Sequence, residues 1–182
     1  MSKVDRRILK SQEAIKKAFL DLMSEKSFDQ ITIQDISDTA NVSRRTVYLH
    51  YLDKYDLLDK LIEEHINTLK NLAESFSHLN FIDGNLIWFQ YFERHYLFFS
   101  TMLASKGAPS FRRQFLEFVI QALKVELNLT TEAEHNELKE DVLLRFIGGA
   151  YVEIVEWWFR NEMPYPPESM AKQVGALIEK IV

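Results

Sequence analysis

Residues 31–55 read ITIQDISDTANVSRRTVYLHYLDKY, and the parsing of that stretch decides the fold. Thr32 has the short hydroxyl of an N-cap, and Asp35, three residues on, stands where a capping box wants an acid. Ile33, Ile36 and Ala40 then recur at helical spacing on one face of a short helix. Ala40-Asn41-Val42 ends it, and Asn41 is one of the few side chains that accepts the left-handed backbone of a sharp helix–helix turn. Ser43 caps a second helix on which Val47 and Tyr51, together with Val42, turn inward. Arg44, Arg45, Thr46, Tyr48 and His50 are left facing outward.

Two short helices, a tight turn and an outer face of Arg, Thr, Tyr and His meet the requirements of a helix-turn-helix reader, whose second helix enters the major groove of duplex DNA. A plain surface helix pair is the alternative. The run T-V-Y-x-H-Y-x-x-K favours the reader, because it gathers hydroxyls, an imidazole and an ammonium where phosphate oxygens would lie. At these residues the chain resembles the TetR family of bacterial one-component regulators. The resemblance spans residues 15–58: the A-F-L-x-L-M-x-E-K-x-F pattern of helix 1, I-T-I-x-D-I, A-x-V-S-x-x-T-V-Y-x-H-Y and K-Y-D-L-L. The chain departs from the family at Asn41, usually Gly, and at Arg45, where a small residue is common. The resemblance implies binding to double-stranded DNA at a near-palindromic operator. Arg44 and Arg45 are the candidates for base edges, since Arg to guanine is the commonest such contact. Thr32, Ser43, Thr46, Tyr48, His50 and Lys54 are the candidates for phosphates.

At 182 residues and 47% hydrophobic content, the chain has enough material for a real core in one domain or two small ones. It has no cysteine, so thiol chemistry and disulfides are excluded and a reducing cytoplasm is the expected compartment. The first ten residues, MSKVDRRILK, lack the apolar core of a secretory signal. The densest apolar run, residues 86–103, is interrupted by Gln90, Glu93, Arg94 and His95, which argues for a buried helix and against a membrane span. The net charge of −5 is unevenly spread: residues 1–52 hold nine Lys/Arg against seven Asp/Glu, a balance of +2, leaving −7 to the remainder. Phosphates feel the local balance over a screening length of about 8 Å. That footprint is modest, so affinity is expected from two paired readers.

Along the chain, helix 1 is expected at about 4–24, with Ile8, Ile15, Phe19, Leu22 and Met23 at helical spacing. Lys3, Arg6 and Arg7 either touch DNA backbone or form a solvated start. A long helix follows Tyr55 to about 76, and with no Gly/Pro/Ser linker after it, signals must pass as shifts of packed helices. Asp83-Gly84-Asn85 punctuates. Helices are then expected at 86–104, 109–127, 132–162 and 168–181, with Thr130 or Thr131 capping the third. No strand pattern or repeat is present. The fold class is all-α, about nine helices in two parts: a three-helix DNA-binding domain at 1–54 and a helical effector-binding and dimerisation bundle at 55–182.

Two features of the second part carry functional readings. Gly148-Gly149 lies mid-helix, where each Gly costs about 1 kcal/mol relative to Ala, so close approach of another helix is expected. In proteins that resemble this one the last two helices form a four-helix bundle with a two-fold mate. Carried over, that assigns Gly149, Ala150, Glu153, Trp157, Val174, Leu177 and Ile178 to a homodimer interface, with packing inside the protomer as the alternative. The second feature is aromatic excess. Phe92, Tyr96, Phe99, Met102, Phe115, Tyr151 and Trp158 would line a cavity for a small apolar or amphipathic effector, or else form plain core. The tail at 148–171 is similar to a subgroup of the family that includes dihydroxyacetone-kinase regulators, which implies a protein co-regulator as the rival to a small ligand.

Catalysis finds no support. The five histidines are scattered, no H-E-x-x-H or phosphate-binding glycine motif occurs, and Glu132-x-x-His135 lacks the second copy that a di-iron bundle needs. No catalytic residue, metal ligand or cofactor is assigned. The reading is a dimeric, cytoplasmic, DNA-binding regulator, a repressor released by a small effector, with control by a protein partner as the alternative.

Overall fold

The alternation of apolar and polar residues at helical spacing is realised throughout the computed structural model, which describes residues 3–75, 79–104, 109–130 and 139–182. Among the described residues there are nine α-helices and no strand: α1 (Lys3–Glu25), α2 (Ile33–Thr39), α3 (Arg44–His50), α4 (Lys54–Ser75), α5 (Phe81–Arg94), α6 (Tyr96–Ala104), α7 (Pro109–Thr130), α8 (Glu140–Arg160) and α9 (Pro167–Ile181). The chain divides into two compact units between His65 and Ile66. The division expected after residue 54 therefore falls inside α4, because Leu57, Leu58, Leu61 and Ile62 are all buried in the first unit.

In the first unit α1, α2 and α3 pack on one another around Ile15, Phe19, Ile36 and Val47, none of which is exposed to solvent. A 3-10 turn, Phe28–Gln30, leads into α2, and Phe28 is buried with its ring edge-on to Phe19 and Tyr55. The capping box at Thr32 is complete: Asp35 N donates to Thr32 Oγ1 (3.1 Å) and Thr32 N donates to Asp35 Oδ2 (2.8 Å). Asn41 takes the left-handed backbone the turn requires, with φ 52°. Ser43 caps α3 by accepting from Thr46 N (3.1 Å).

In the second unit α5 packs on α9, α7 on α8, and α6 on both α7 and α8. Three expected boundaries move. The stretch expected as one helix at 86–104 is two, broken at His95 (φ −108°, ψ 33°), whose carbonyl then accepts from Phe98 N and Phe99 N. A run apolar on all sides finds cover only if its halves face different partners, α9 for α5 and α8 for α6. Asp83-Gly84-Asn85 does not punctuate. It lies in α5, whose N-cap is Asn80, Oδ1 accepting from Asp83 N (2.9 Å). Lys139 is extended and α8 begins at Glu140, eight residues later than expected. Of the two expected caps, Thr130 is the last residue of α7, while Thr131, the Glu132-x-x-His135 spacing and Leu138 fall at 131–138, outside the described residues.

Two glycines set helix–helix approach. A Cβ on Gly175 of α9 would meet the backbone of Ile82 in α5 at 2.8 Å, and one on Gly148 of α8 would meet Ile120 Cγ1 of α7 at 3.0 Å. Gly148 thus has the intramolecular role. Backbone cannot yield as a side-chain tip can. Gly175→Ala is therefore expected to lower the unfolding free energy by roughly 1–3 kcal/mol through overpacking. Gly84→Ala, with nothing within 4 Å of its Cβ position, should instead raise it by up to about 1 kcal/mol. Urea unfolding of both variants checks this, and a Gly175→Ala protein as stable as the parent would refute the close contact.

Candidate nucleic-acid interface

The outer face of α3 follows from what its inner face buries. Val47 (0% exposed) and Tyr51 (3%) point into the first unit; Arg45, Tyr48 and Leu49 are turned away from Val47 and exposed, and Arg44, in the first turn, is exposed as well. Arg44 and Arg45 are exposed and make no ion pair among the described residues. Leu49 and Leu52 are 72% and 81% exposed. These two leucines were missed by sequence reasoning, which sends apolar side chains inward by default. The signal was available, because Leu49 stands about 200° around the helix from Val47.

The expected phosphate contacts separate into three groups. Tyr48 is free on the surface, and the Ser43 and Thr46 hydroxyls share one hydrogen bond (2.8 Å), which leaves one hydroxyl proton for an acceptor. Thr32 and His50 are partly engaged at home. Thr32 Oγ1 lies 2.9 Å from Asp35 Oδ2, and His50 Nε2 is 3.0 Å from Ser11 Oγ of α1. Lys54 departs from its expected role. Its ammonium donates to the carbonyls of Phe28 (2.9 Å), Asp29 (3.0 Å) and Ile31 (2.9 Å). It also lies over the Phe28 ring at 4.7 Å and the Tyr55 ring at 5.6 Å. An ammonium has three protons, and all three are spent on carbonyls, so none is left for phosphate.

Around this clasp other charges hold the unit's helices. Lys16 of α1 pairs with Glu64 of α4, and Lys60 bridges Asp56 (2.9 Å) and the His50 carbonyl (3.3 Å). Lys26 Nζ reaches Asp35 Oδ2 at 2.8 Å. That bond, followed by the Thr32 amide and hydroxyl, holds the Asp35 carboxyl down at about 2.

In the second unit the seven residues expected to line a pocket do not do so. Phe92, Phe99, Met102, Phe115, Tyr151 and Trp158 are each at most 3% exposed. They close on one another, Phe92 with Phe99 at 4.9 Å and with Phe115 at 5.7 Å. Tyr96 lies at the surface, 39% exposed. Aromatic side chains this large fill the space they would otherwise enclose. A cavity of about 540 Å³ does exist in this unit, but between α4, α5 and α7, with apolar walls from Ile66, Leu72, Ile87, Trp88, Phe118 and Val125.

The expected dimer residues also divide. Val174 and Ile178 are each 4% exposed, buried on the α9 face that packs against α5, which removes them from any outward interface. Gly149 has nothing within 4 Å of its Cβ position, and Ala150, Glu153, Trp157 and Leu177 are exposed. Glu153 is held by Arg160 (3.0 Å), which also reaches the buried Glu156.

A three-helix unit whose second short helix presents two free arginines past a left-handed turn is a helix-turn-helix DNA-binding module. Comparison with known proteins gives the family. Residues 15–61 match the model for bacterial regulatory proteins of the tetR family, and residues 79–180 match that for the C-terminal region of such transcriptional regulators. The chain belongs to the TetR family of DNA-binding transcriptional regulators. It is 25% identical over 177 residues to the HTH-type transcriptional regulator YxbF of Bacillus subtilis, covering 93% of this chain and 45% of YxbF, so it spans about half of that relative's length. It is 32% identical over 88 residues to DhaS, the dhaKLM operon transcriptional activator of Lactococcus lactis, covering 44% of this chain and 47% of DhaS. The crystal structure of a TetR transcriptional regulator from Streptococcus agalactiae superposes with a TM-score of 0.70 at 27% identity, over 96% of each chain.

The Asp35 network makes a pH signature. Its folded value lies below the ordinary 3.8, so its stabilisation is complete above about pH 4 and is lost as pH falls toward 2. Between pH 5 and 2.5 the parent protein should therefore lose more of its urea midpoint than Asp35→Asn does. Equal losses would remove the network from the account of the reader's stability.

Proposed function

We propose that this chain is a homodimeric repressor that leaves a near-palindromic operator when a small molecule fills the cavity of its second unit. One observation carries the reading: a cavity of about 540 Å³ with apolar walls, a size that suits a small effector. The helix that walls one side of it, α4, is the same continuous helix whose first residue is the Lys54 clasp of the reader. Occupancy can act only through differential affinity for two arrangements, and α4 is the element that such a difference would bias.

At the DNA, Arg44 and Arg45 read base edges, and Leu49 and Leu52 offer methyl groups to thymine. Tyr48, Thr46, Ser43, Thr32 and the remaining ring nitrogen of His50 serve phosphates. The second copy docks on α8 and α9. Support comes from the stripe Val142 (59% exposed), Phe146 (65%) and Trp157 (40%), which continues through open Gly149. Leu177 (51%) and Ile181 (39%) lie exposed on α9. A chromosomal regulator works in the cytoplasm, and no described helix is long and apolar enough to cross a membrane.

Three measurements test the reading. Selection of duplexes from a random pool should yield palindromic half-sites, with Arg44→Ala relaxing one base preference at a cost of roughly 1–3 kcal/mol; unchanged selectivity would remove Arg44 from base reading. Phe146→Glu combined with Trp157→Glu should give folded monomers in light scattering that lose the operator, and intact dimers would refute the interface. A metabolite screen should find a compound that raises the melting temperature and releases DNA from the parent but not from Ala122→Trp, which fills the cavity. Release of both proteins by a lysate protein, with no such compound, would instead favour a protein co-regulator of the kind the resemblance to dihydroxyacetone-kinase regulators implies.

A further inference from the structure

Resting on the reading of the cavity as an effector site, we infer that its ligand is an amphipathic amine: an apolar body carrying a protonated nitrogen that donates to Glu126. Asn85 is 7% exposed and lines the cavity. Its Nδ2 donates to the Phe81 carbonyl at 2.7 Å, which fixes the amide's orientation because that oxygen only accepts. Its Oδ1 has no hydrogen-bond partner among the described residues, but it is shut off from solvent and so from a ligand in the cavity. The polar handle that the cavity does offer stands on α7.

Glu126 stands on the same cavity, half-buried, with no hydrogen bond or ion pair among the described residues. Burial alone lifts its carboxyl to about 7, with no cation pulling it back. Other charged groups do line the cavity, Lys70 and Glu74 from α4 and Arg113 and Glu117 from α7, while α5 contributes none. Lys70 and Arg113 are solvent-exposed, and neither offsets the burial of Glu126. From α8, Tyr151 is near enough for the Glu126 charge to raise its own hydroxyl further, and Tyr151 Oη is also buried without a partner. Its ring meets the cavity-lining Trp88 edge-on at 5.7 Å. The recess thus holds a carboxyl that no cation pairs with among the described residues, and an aromatic wall. Each is completed by an ammonium on an apolar frame.

The full chain is titrated calorimetrically with three matched probes, naphthalen-1-ylmethylamine, naphthalen-1-ylmethanol and 1-naphthoate, at pH 8 and pH 6. The primary ammonium stays charged at both. At pH 8 the amine should bind at least about tenfold tighter than either analogue. Its affinity should fall about tenfold at pH 6, as the ionised fraction of Glu126 falls from about nine-tenths to one-tenth. Glu126→Gln should erase both the preference and the pH dependence, and Ala122→Trp should abolish binding. Should Glu126→Gln fail to fold, the pH dependence of the parent and the loss in Ala122→Trp still decide. Equal or tighter binding of the alcohol or naphthoate, pH-independent amine binding, a preference surviving in Glu126→Gln, or no binding by any probe overturns the amine assignment. Naphthoate binding that Ala122→Trp abolishes would overturn it while leaving the cavity an effector site.

Discussion

The reader depends on one ammonium. The 3-10 turn and the residue after it offer the carbonyls of Phe28, Asp29 and Ile31 in a convergent set, and Lys54 at the start of α4 occupies it. The Phe28 carbonyl also accepts from Ile31 N (3.1 Å), but a carbonyl left without a donor would cost stability, and the turn fixes where α2 begins. From there the chain of dependence is short. The turn positions Thr32, the capping box starts α2, Asn41 reverses the chain, and Ser43 starts α3 with its arginines outward. Phe28 and Tyr55 close an apolar lid over the same lysine. A charge is tolerated there because all its protons are matched and its stem is covered.

The second unit solves a different problem, how to bury many aromatic side chains without strain. Small residues set the distances, Gly175 letting α9 meet α5 and Gly148 letting α8 meet α7. The rings then interlock edge to face, Phe89 on Trp158 at 5.2 Å and Phe98 on Phe111 at 5.2 Å. A core so filled has no room for a ligand. The cavity opens instead where α7 presents smaller and polar side chains, Ala122, Gln121 and Glu126, toward α4 and α5.

Much of this was legible in the sequence, and the reasons are local. Caps, turns and inward pairs are short-range devices, so Thr32 with Asp35, Asn41, Ser43 and the Val47–Tyr51 pair declare themselves to within a residue. What was not legible depends on partners distant in the chain. The break at His95 has no Gly or Pro to announce it and exists because α5 and α6 pack on different helices. Asp83-Gly84 reads as a turn but serves as the first turn of a capped helix. Phe92 and Phe115 look alike as pocket wall or as core, and only their mutual packing distinguishes the two. Lys54 shows the limit most clearly, since a lysine beside a DNA-reading helix suggests phosphate until three carbonyls are found around it.

The most direct test sets that lysine against a neighbour on the reading face. With a duplex recovered by selection, binding is measured across a salt series for the parent, Lys54→Met and Arg45→Ala, alongside urea unfolding of each. On this account Lys54→Met unfolds more easily by roughly 1.5–3 kcal/mol while the folded protein keeps the parent's salt slope. Arg45→Ala keeps the parent's stability and changes the slope by about one unit if it meets a phosphate, or the base preference if it meets a base. A Lys54→Met protein of undiminished stability whose salt slope is flattened would contradict the account, and would return that ammonium to the DNA.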